Sequence, residues 1–295
     1  MKKTLFTGSG VAIITPMNCD GSINFDELGK IIEFQIENGT DAIITCGTTG
    51  EAATMTPDEY AKVIKYTVDK VNKRVPVIAG SGSNNTQTAL DHSLKAQSLG
   101  ADGLLIVTPY YNKASQKGLI EHYCYIADRV ELPIILYNVP SRTGCNIKPE
   151  TYAELAEHPN IVGIKEASGD ISALAKTISL CKDKLAVYSG NDDQIVPIMS
   201  LGGVGVISVF ANICPDKCHQ LTKLALDGKF SEATKIQLEY LDLINSLFSD
   251  VNPIPIKAAM NMIGYNCGRC RMPLSEMTPE ALDRLGKIIS RYNLV

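Results

Sequence analysis

Short apolar runs recur between residues 11 and 208, and each is followed by a turn and a longer amphipathic stretch. The runs are continuous rather than alternating, which is typical of parallel strands covered on both faces. About eight strand-helix units of this kind close most simply into a (β/α)8 TIM barrel, an α/β fold. The predicted strands are 11–15, 42–46, 75–79, 103–107, 134–137, 161–165, 185–188 and 204–208.

The main alternative is an open, doubly wound parallel sheet. It is disfavoured because no Gly-x-Gly-x-x-Gly pattern opens a helix after the first strand, and the sequence contains no Walker-type lysine motif.

Two helix N-termini can be recognised between the apolar runs. Asn24 is followed by Glu27, and segment 56–59 combines an N-cap threonine, a first-turn proline and a capping-box glutamate.

The chain of 295 residues is longer than a barrel needs, since α/β barrels often form one domain of about 250 residues. After Asn212 the strand signals stop, and helical patterns follow at 215–226, 230–248, 255–263 and 279–292. We therefore predict a catalytic barrel over residues 1–228 and a C-terminal helical extension over 229–295. The extension is expected to be an appendage or a subunit contact.

Charge and hydropathy exclude several classes of function. The net charge is −4 and there is no run of lysine or arginine, so nucleic acid is not an expected partner. Gly8-Ser9-Gly10 interrupts the start of the chain before a signal-like apolar stretch forms, and no apolar run reaches transmembrane length. A cytoplasmic protein without a membrane partner is expected.

The nine cysteines are expected to be reduced thiols. Cys214 with Cys218 and Cys267 with Cys270 raise a zinc or redox interpretation, but the first pair has a three-residue gap that contains a proline. No metal site is predicted there. Asp192-Asp193 is interpreted as a solvated helix N-terminus, where carboxylates complement the helix dipole, rather than as a metal site.

Lys165 ends a predicted strand, and barrel enzymes carry their catalytic groups at the C-terminal ends of strands. Alternation along the strand puts Lys165 on the same face as Ile161 and Gly163. If that face is the barrel interior, burial lowers the pKa of the lysine, and its neutral amine can form an imine with a ketone. The alternative is a lysine that only forms a salt bridge with Glu166, and periodicity does not decide between them.

Two further positions could support an imine-forming amine. Tyr137 ends the adjacent strand, where its phenol could pass protons. Thr48 and Thr49 lie between glycines and offer hydroxyl and amide donors to a carboxylate. A core aromatic residue and an ordinary strand-to-helix turn are the alternative interpretations.

Taken together, the motifs are far more specific than any one of them. With them the whole chain resembles the dihydrodipicolinate synthase family, within the class I aldolases of the N-acetylneuraminate lyase superfamily. The resemblance implies condensation of pyruvate with L-aspartate 4-semialdehyde to 4-hydroxy-tetrahydrodipicolinate, the first committed step of diaminopimelate and lysine biosynthesis, with no cofactor. The motifs are Gly-Thr-Thr-Gly-Glu at 47–51, Thr-Pro-Tyr-Tyr at 108–111, Tyr-Asn-Val-Pro-x-Arg-Thr-Gly at 137–144, Lys-Glu-Ala-Ser at 165–168, Ser-Gly-Asn-Asp at 189–192 and Asn-Pro-Ile-Pro-Ile-Lys at 252–257.

The resemblance also implies the catalytic roles. Lys165 matches the Schiff-base lysine of the family. Thr48, Tyr137 and Tyr111 match its proton relay, in which the tyrosine at position 111 comes from the neighbouring subunit of a tight dimer. A homo-oligomer is therefore implied, and the family is usually a tetramer built as a dimer of dimers.

Substrate-binding residues follow from the same resemblance. Arg142 matches the residue that holds the carboxylate of the aldehyde, and Thr49 with the backbone of Gly190 and Ile207 lies where pyruvate binds. N-acetylneuraminate lyase and 2-keto-3-deoxy sugar-acid aldolases are the alternative functions. Those relatives do not need an arginine for a second substrate's carboxylate, so Arg142 favours the synthase. A non-catalytic barrel with a binding or regulatory role is the alternative of another class.

Feedback inhibition by lysine is predicted to be weak or absent. Lysine-inhibited members of the resembled family have histidine or acidic residues around four positions that are uncharged in this chain. Without a carboxylate at Thr88, the α-ammonium of a bound lysine would lose its charged acceptor, and a buried unpaired ammonium is costly. The four positions are Ala52, Pro57, Tyr60 and Thr88, whereas Asn84 and Tyr110 match the family.

Overall fold

The computed structural model describes Lys2 and residues 4–294. Eight parallel strands form a closed barrel in which each strand pairs with the next along the chain and the last pairs with the first. The predicted (β/α)8 barrel with a C-terminal helical extension is thereby confirmed. The strands are β1 Gly8–Ala12, β2 Ala42–Thr45, β3 Val77–Gly80, β4 Gly103–Val107, β5 Ile134–Asn138, β6 Ile161–Glu166, β7 Ala186–Ser189 and β8 Gly205–Ser208.

Helices cover the outside of the barrel, and both predicted caps are confirmed. Asn24 accepts a hydrogen bond from the N–H of Glu27, and Thr56 forms a capping box with Glu59. In the described part of the chain, no helix has both the length and the apolar character to cross a membrane. The helices are α1 Phe25–Glu37, α2 Pro57–Val71, α3 Thr86–Ser98, α4 Gln116–Ala127, α5 Pro140–Thr143, α6 Pro149–Leu155, α7 Ile171–Cys181, α8 Ile195–Ser200, α9 Pro215–Leu226, α10 Phe230–Glu239, α11 Leu241–Ser246, α12 Ile254–Met262 and α13 Pro279–Arg291.

The first strand and one tail helix differ from the prediction. Strand β1 extends from Gly8 to Ala12, whereas the predicted strand was 11–15. A Cβ on Gly10 would lie 2.7 Å from the ring of Phe6 and 2.8 Å from Ile44, so packing demands glycine at this point of the strand. The predicted helix 230–248 is divided at Tyr240, whose ring stacks on Tyr292 at a centroid distance of 4.9 Å.

A register shift between β5 and β6 decides which side chains face the barrel interior. Ile134 pairs with Ile161, but Ile135 pairs with Gly163, so β6 has one extra residue. Ile161 consequently packs in the cluster between the strands and the helices. The prediction that Ile161 shares a face with Lys165 is therefore wrong. Lys165 nevertheless pairs with Tyr137 of β5, whose side chain belongs to the cluster inside the barrel.

The described cysteines are free thiols, including Cys214, Cys218, Cys267 and Cys270. Burial raises the pKa of the Cys267 and Cys270 thiols to about 12. Thiols with such a pKa stay protonated at neutral pH and are poor nucleophiles and metal ligands. Within residues 4–294 and Lys2, no group of His, Cys, Asp and Glu is arranged to hold a metal ion.

Candidate active site

Lys165 lies at the C-terminal end of β6 and points into the barrel, as predicted. Its partner across the strand pair is Tyr137, which belongs to the interior cluster, and its Nζ lies 4.3 Å from the centroid of the Tyr137 ring. The side chain is only 5% exposed. Burial lowers the pKa of Lys165 to about 8, with the Asp192 carboxylate acting against this shift and Arg142 adding to it. The neutral, nucleophilic form of the amine is therefore accessible near neutral pH.

Glu166 does not form the salt bridge with Lys165 that was the alternative interpretation. Its carboxylate accepts hydrogen bonds from the amide of Asn138 at 3.1 and 3.2 Å, from the Tyr152 hydroxyl at 3.0 Å and from the Ser168 N–H at 2.7 Å. Because strand neighbours point to opposite faces, this carboxylate lies away from the barrel interior. The Lys165 amine is thus left free for chemistry.

Asp192 is buried, so the prediction of a solvated helix N-terminus is wrong for this residue, whereas its neighbour Asp193 is exposed. One carboxylate oxygen, Oδ2, accepts hydrogen bonds from the N–H groups of Val209 at 3.0 Å and Phe210 at 2.9 Å. Burial raises the pKa of Asp192, and these hydrogen bonds and the charge of Lys165 oppose the rise. Asp192 thereby supplies negative potential to the buried amine.

Tyr137 and Thr48 also lie at the mouth of the barrel. Burial raises the pKa of the Tyr137 phenol, while Arg142 and a hydrogen bond from Thr48 act in the opposite direction. The phenol therefore holds its proton at neutral pH and can exchange it with a neighbour. Thr48 lies on the turn after β2 and is exposed.

Tyr111 is not brought to Lys165 within one chain. It lies on the loop after β4 with a positive φ of 74°, and its side chain is 89% exposed. A non-glycine residue in this conformation is strained and needs support from its surroundings, such as the 3.3 Å hydrogen bond from its N–H to the Thr143 carbonyl. The loop holds the phenol out from the barrel instead of over the amine.

The two residues expected to hold substrate carboxylates are linked by Asn252, a residue to which the sequence pattern gave no role. Thr49 is buried, and its Oγ1 accepts a hydrogen bond of 3.0 Å from the Asn252 side-chain amide. Arg142 is exposed at the mouth on α5 and donates to the Asn252 carbonyl at 3.2 Å. These contacts span 203 and 110 residues of the chain, so local sequence carries no signal for them.

Gly190 directly follows β7, and Ile207 lies on β8. A Cβ on Gly190 would lie 2.7 Å from the Cβ of Ala167, so only glycine fits between the ends of β6 and β7. The Gly190 N–H donates to the Glu166 carbonyl at 2.7 Å and is not available to a ligand. Ile207 is 1% exposed and belongs to the interior cluster.

The Gly-Thr-Thr-Gly-Glu turn is fixed to the C-terminal extension by a buried ion pair. Glu51, in the left-handed conformation with φ of 57°, contacts the Nζ of Lys257 at 2.8 Å, and both side chains are almost fully buried. Lys257 also donates to the Arg269 carbonyl at 2.7 Å, and Glu51 accepts from the Arg271 N–H at 2.8 Å. The extension therefore holds the turn that carries Thr48 and Thr49.

Comparison with known proteins gives one consistent result. Residues 5–292 match the model of the Dihydrodipicolinate synthetase family. A 4-hydroxy-tetrahydrodipicolinate synthase of Clostridium novyi is 56% identical, over 98% of each chain. The crystal structure of the dihydrodipicolinate synthase of Acinetobacter baumannii complexed with pyruvate is 42% identical with a TM-score of 0.97, over 99% of this chain and 100% of that one. A structure described as the first monomeric dihydrodipicolinate synthase variant is 39% identical with a TM-score of 0.96, over 99% and 98%.

Proposed function

The chain belongs to the dihydrodipicolinate synthetase family, and we propose that it condenses pyruvate with L-aspartate 4-semialdehyde to 4-hydroxy-tetrahydrodipicolinate. This is the first committed step of diaminopimelate and lysine biosynthesis. The observation that carries the mechanism is the Lys165 amine, buried over the Tyr137 ring with a pKa lowered to about 8. Such an amine can act as a nucleophile at neutral pH.

The reaction proceeds through an imine on Lys165. Its Nζ attacks C2 of pyruvate to give a carbinolamine, which loses water and becomes a protonated imine. Loss of a proton from C3 gives an enamine, and C3 then attacks the aldehyde carbon of the second substrate. The amino group of that substrate finally displaces Lys165 from the imine carbon and closes the ring. The iminium itself is the electron sink, so these steps need no added cofactor.

The protons are carried by the relay of Tyr137, Thr48 and Tyr111. The Tyr137 ring lies 4.3 Å from the Lys165 Nζ and Thr48 interacts with the Tyr137 phenol, whereas Tyr111 is 89% exposed. We therefore assign Tyr111 to the site of a neighbouring subunit in a homodimer, with a dimer of dimers as the full assembly. This assignment is supported by the exposure of the phenol and by the loop that holds it outward.

Both substrates are anionic, which suits the donors at the barrel mouth. We assign the pyruvate carboxylate to Thr49, with the backbone at Gly190 and Ile207 lining that end. The carboxylate of the aldehyde is assigned to Arg142, because a guanidinium binds carboxylates in a two-pronged geometry. This assignment disfavours N-acetylneuraminate lyase and the sugar-acid aldolases, whose acceptors are hydroxylated chains.

We also propose that residues 1–228 form the catalytic barrel and 229–295 the extension, since β8 ends at Ser208 and the described elements after it are helices. The hydrogen bonds from Asn252 and Lys257 give the extension a supporting role at the site in addition to any subunit contact. A cytoplasmic location is also proposed, and the free thiols of the described cysteines are in keeping with a reducing compartment.

The function is tested by offering pyruvate with three acceptors in parallel: aspartate semialdehyde, N-acetylmannosamine and glyceraldehyde. We expect product only with aspartate semialdehyde. The Arg142→Leu variant should lower kcat/KM for aspartate semialdehyde by about 100-fold, as expected for the loss of a two-pronged charged contact, while pyruvate binding changes less. A higher kcat/KM with either sugar-type acceptor would contradict the proposal.

A further inference from the structure

Asn252 lies between the two groups to which the substrate carboxylates are assigned. Its side-chain Nδ2 donates to Thr49 Oγ1 at 3.0 Å, and its backbone oxygen accepts from Arg142 Nη2 at 3.2 Å. Asn252 is 6% exposed and lies just before α12, which begins at Ile254. One residue of the extension therefore contacts the pyruvate side and the aldehyde side of the site.

The direction of the hydrogen bond to Thr49 has a chemical consequence. An amide NH2 can only donate, so Thr49 Oγ1 is the acceptor in this contact. A hydroxyl has a single proton, and the proton of Thr49 is thereby left to donate to another acceptor. A substrate carboxylate is such an acceptor, and the hydrogen bond it receives is strengthened by its charge.

The side-chain carbonyl oxygen of Asn252 argues against a purely structural role for this residue. Asn252 Oδ1 is buried, and no residue of the described chain donates a hydrogen bond to it. A buried acceptor without a donor costs free energy, so an apolar side chain of similar size would serve packing at least as well. The hydrogen bond to Thr49 is then the reason for an amide at this position.

The position of Asn252 is fixed by a nearby ion pair between the extension and the turn that carries Thr49. Five residues later, Lys257 is locked to Glu51 in the buried ion pair, and Glu51 is in the same turn as Thr49. The turn and the start of α12 are therefore held as one unit. A small change of side chain at Asn252 should alter the hydrogen bond to Thr49 without moving the backbone carbonyl that Arg142 contacts.

We propose that Asn252 is a positioning residue for both substrates. Its side-chain amide directs the Thr49 hydroxyl toward the pyruvate carboxylate, and its carbonyl anchors the Arg142 guanidinium for the carboxylate of the aldehyde. The inference rests on the proposed function, because it assumes that pyruvate binds at Thr49 and reacts with Lys165.

The test measures the pyruvate concentration that gives half-maximal borohydride trapping on Lys165, with no aldehyde present. Asn252→Ala should raise this concentration about tenfold, as expected for a weakened hydrogen bond to a charged group, while the maximal extent of trapping stays the same. Asn252→Asp, which matches the shape but turns the Thr49 proton toward itself and adds a negative charge, should raise it further. Asn245→Ala, the same change at an exposed site of the extension, should have no effect.

A double-mutant cycle with Thr49→Val shows whether Asn252 acts through the hydroxyl. In the Thr49→Val background, Asn252→Ala should cause no further increase. Additive effects, or a half-maximal concentration within about twofold of the unsubstituted chain in the single variant, overturn the inference. If Asn252→Ala does not fold, Asn252→Ser carries the same test. Absence of any Lys165 adduct in the unsubstituted chain is a different result, since it overturns the proposed function itself.

Discussion

The end of β6 and the loop after β4 contribute to the same proposed chemistry in opposite ways. Lys165 is 5% exposed, lies over the Tyr137 ring and is surrounded by fixed neighbours of one chain. Tyr111 is 89% exposed and is held outward by a strained backbone conformation. In the proposed mechanism, a single chain thus supplies the group that forms the imine but not the complete proton relay. Substitutions at each of the two places separate these contributions.

The largest effect is expected at the buried end. Lys165→Ala should lower kcat on the order of 10^4-fold or more, because the covalent intermediate can no longer form. Lys165→Arg keeps a positive charge but has no nucleophilic amine, and it should be equally inactive. Steady-state kinetics with both variants check this, with circular dichroism as the control for folding. Residual activity above about 1% in Lys165→Ala would contradict the assigned nucleophile.

A smaller loss is expected at the exposed end. Tyr111→Phe removes one relay hydroxyl and should lower kcat by about 100-fold, with little change in the pyruvate concentration that half-saturates trapping. Tyr110→Phe, the neighbouring position, should retain near-normal activity.

Subunit complementation then tests whether Tyr111 acts across the dimer. When Tyr111→Phe and Lys165→Ala chains are co-expressed in equal amounts, half of the dimers are mixed, and each mixed dimer has one site with both groups intact. About one quarter of all sites should therefore regain activity. No recovery above the separate variants would show that Tyr111 acts within its own chain or not at all.

The pH dependence reports on the electrostatics of the buried end. Lys165 attacks only as the neutral amine, so the rate of imine formation should rise with pH and level off above about pH 8. The Asp192 carboxylate raises the pKa of Lys165, so Asp192→Asn should move the acidic limb to lower pH. Asp193→Asn, at the exposed neighbour, should leave the profile unchanged. A shift to higher pH in Asp192→Asn would contradict this account.

The smallest expected effect concerns added lysine. Tyr60 is buried, with its hydroxyl donating to the Gly80 carbonyl at 3.0 Å and its ring stacked on His92, and Thr88 offers no carboxylate. Millimolar lysine should change the rate by less than about twofold, since an ammonium without a charged acceptor binds poorly. Strong inhibition in a steady-state assay would show that another residue supplies the missing charge.

Much of the fold could be predicted because its signals are local. Continuous apolar runs marked the eight strands, and the caps at Asn24 and Thr56 marked two helices. The start of β1 was missed because glycine usually breaks a strand, whereas at Gly10 the barrel interior leaves no room for a side chain. The extra residue in β6 could not be seen either, since register depends on the pairing of two strands.

The site was predictable only in part for a similar reason. Lys165 and Tyr137 end apolar strands, so their place at the barrel mouth followed from the fold. The burial of Asp192 depends on the N–H groups of Val209 and Phe210, 17 and 18 residues away. The contacts of Asn252 join parts of the chain that are farther apart still. Such contacts leave no periodic signal in the sequence.

The most direct test of the central claim is to treat the protein with pyruvate and borohydride and to map the modified peptide by mass spectrometry. Reduction should trap one pyruvate-derived adduct per chain, on Lys165, with faster trapping at pH 8 than at pH 6. An adduct on any other lysine, or none, would contradict the account.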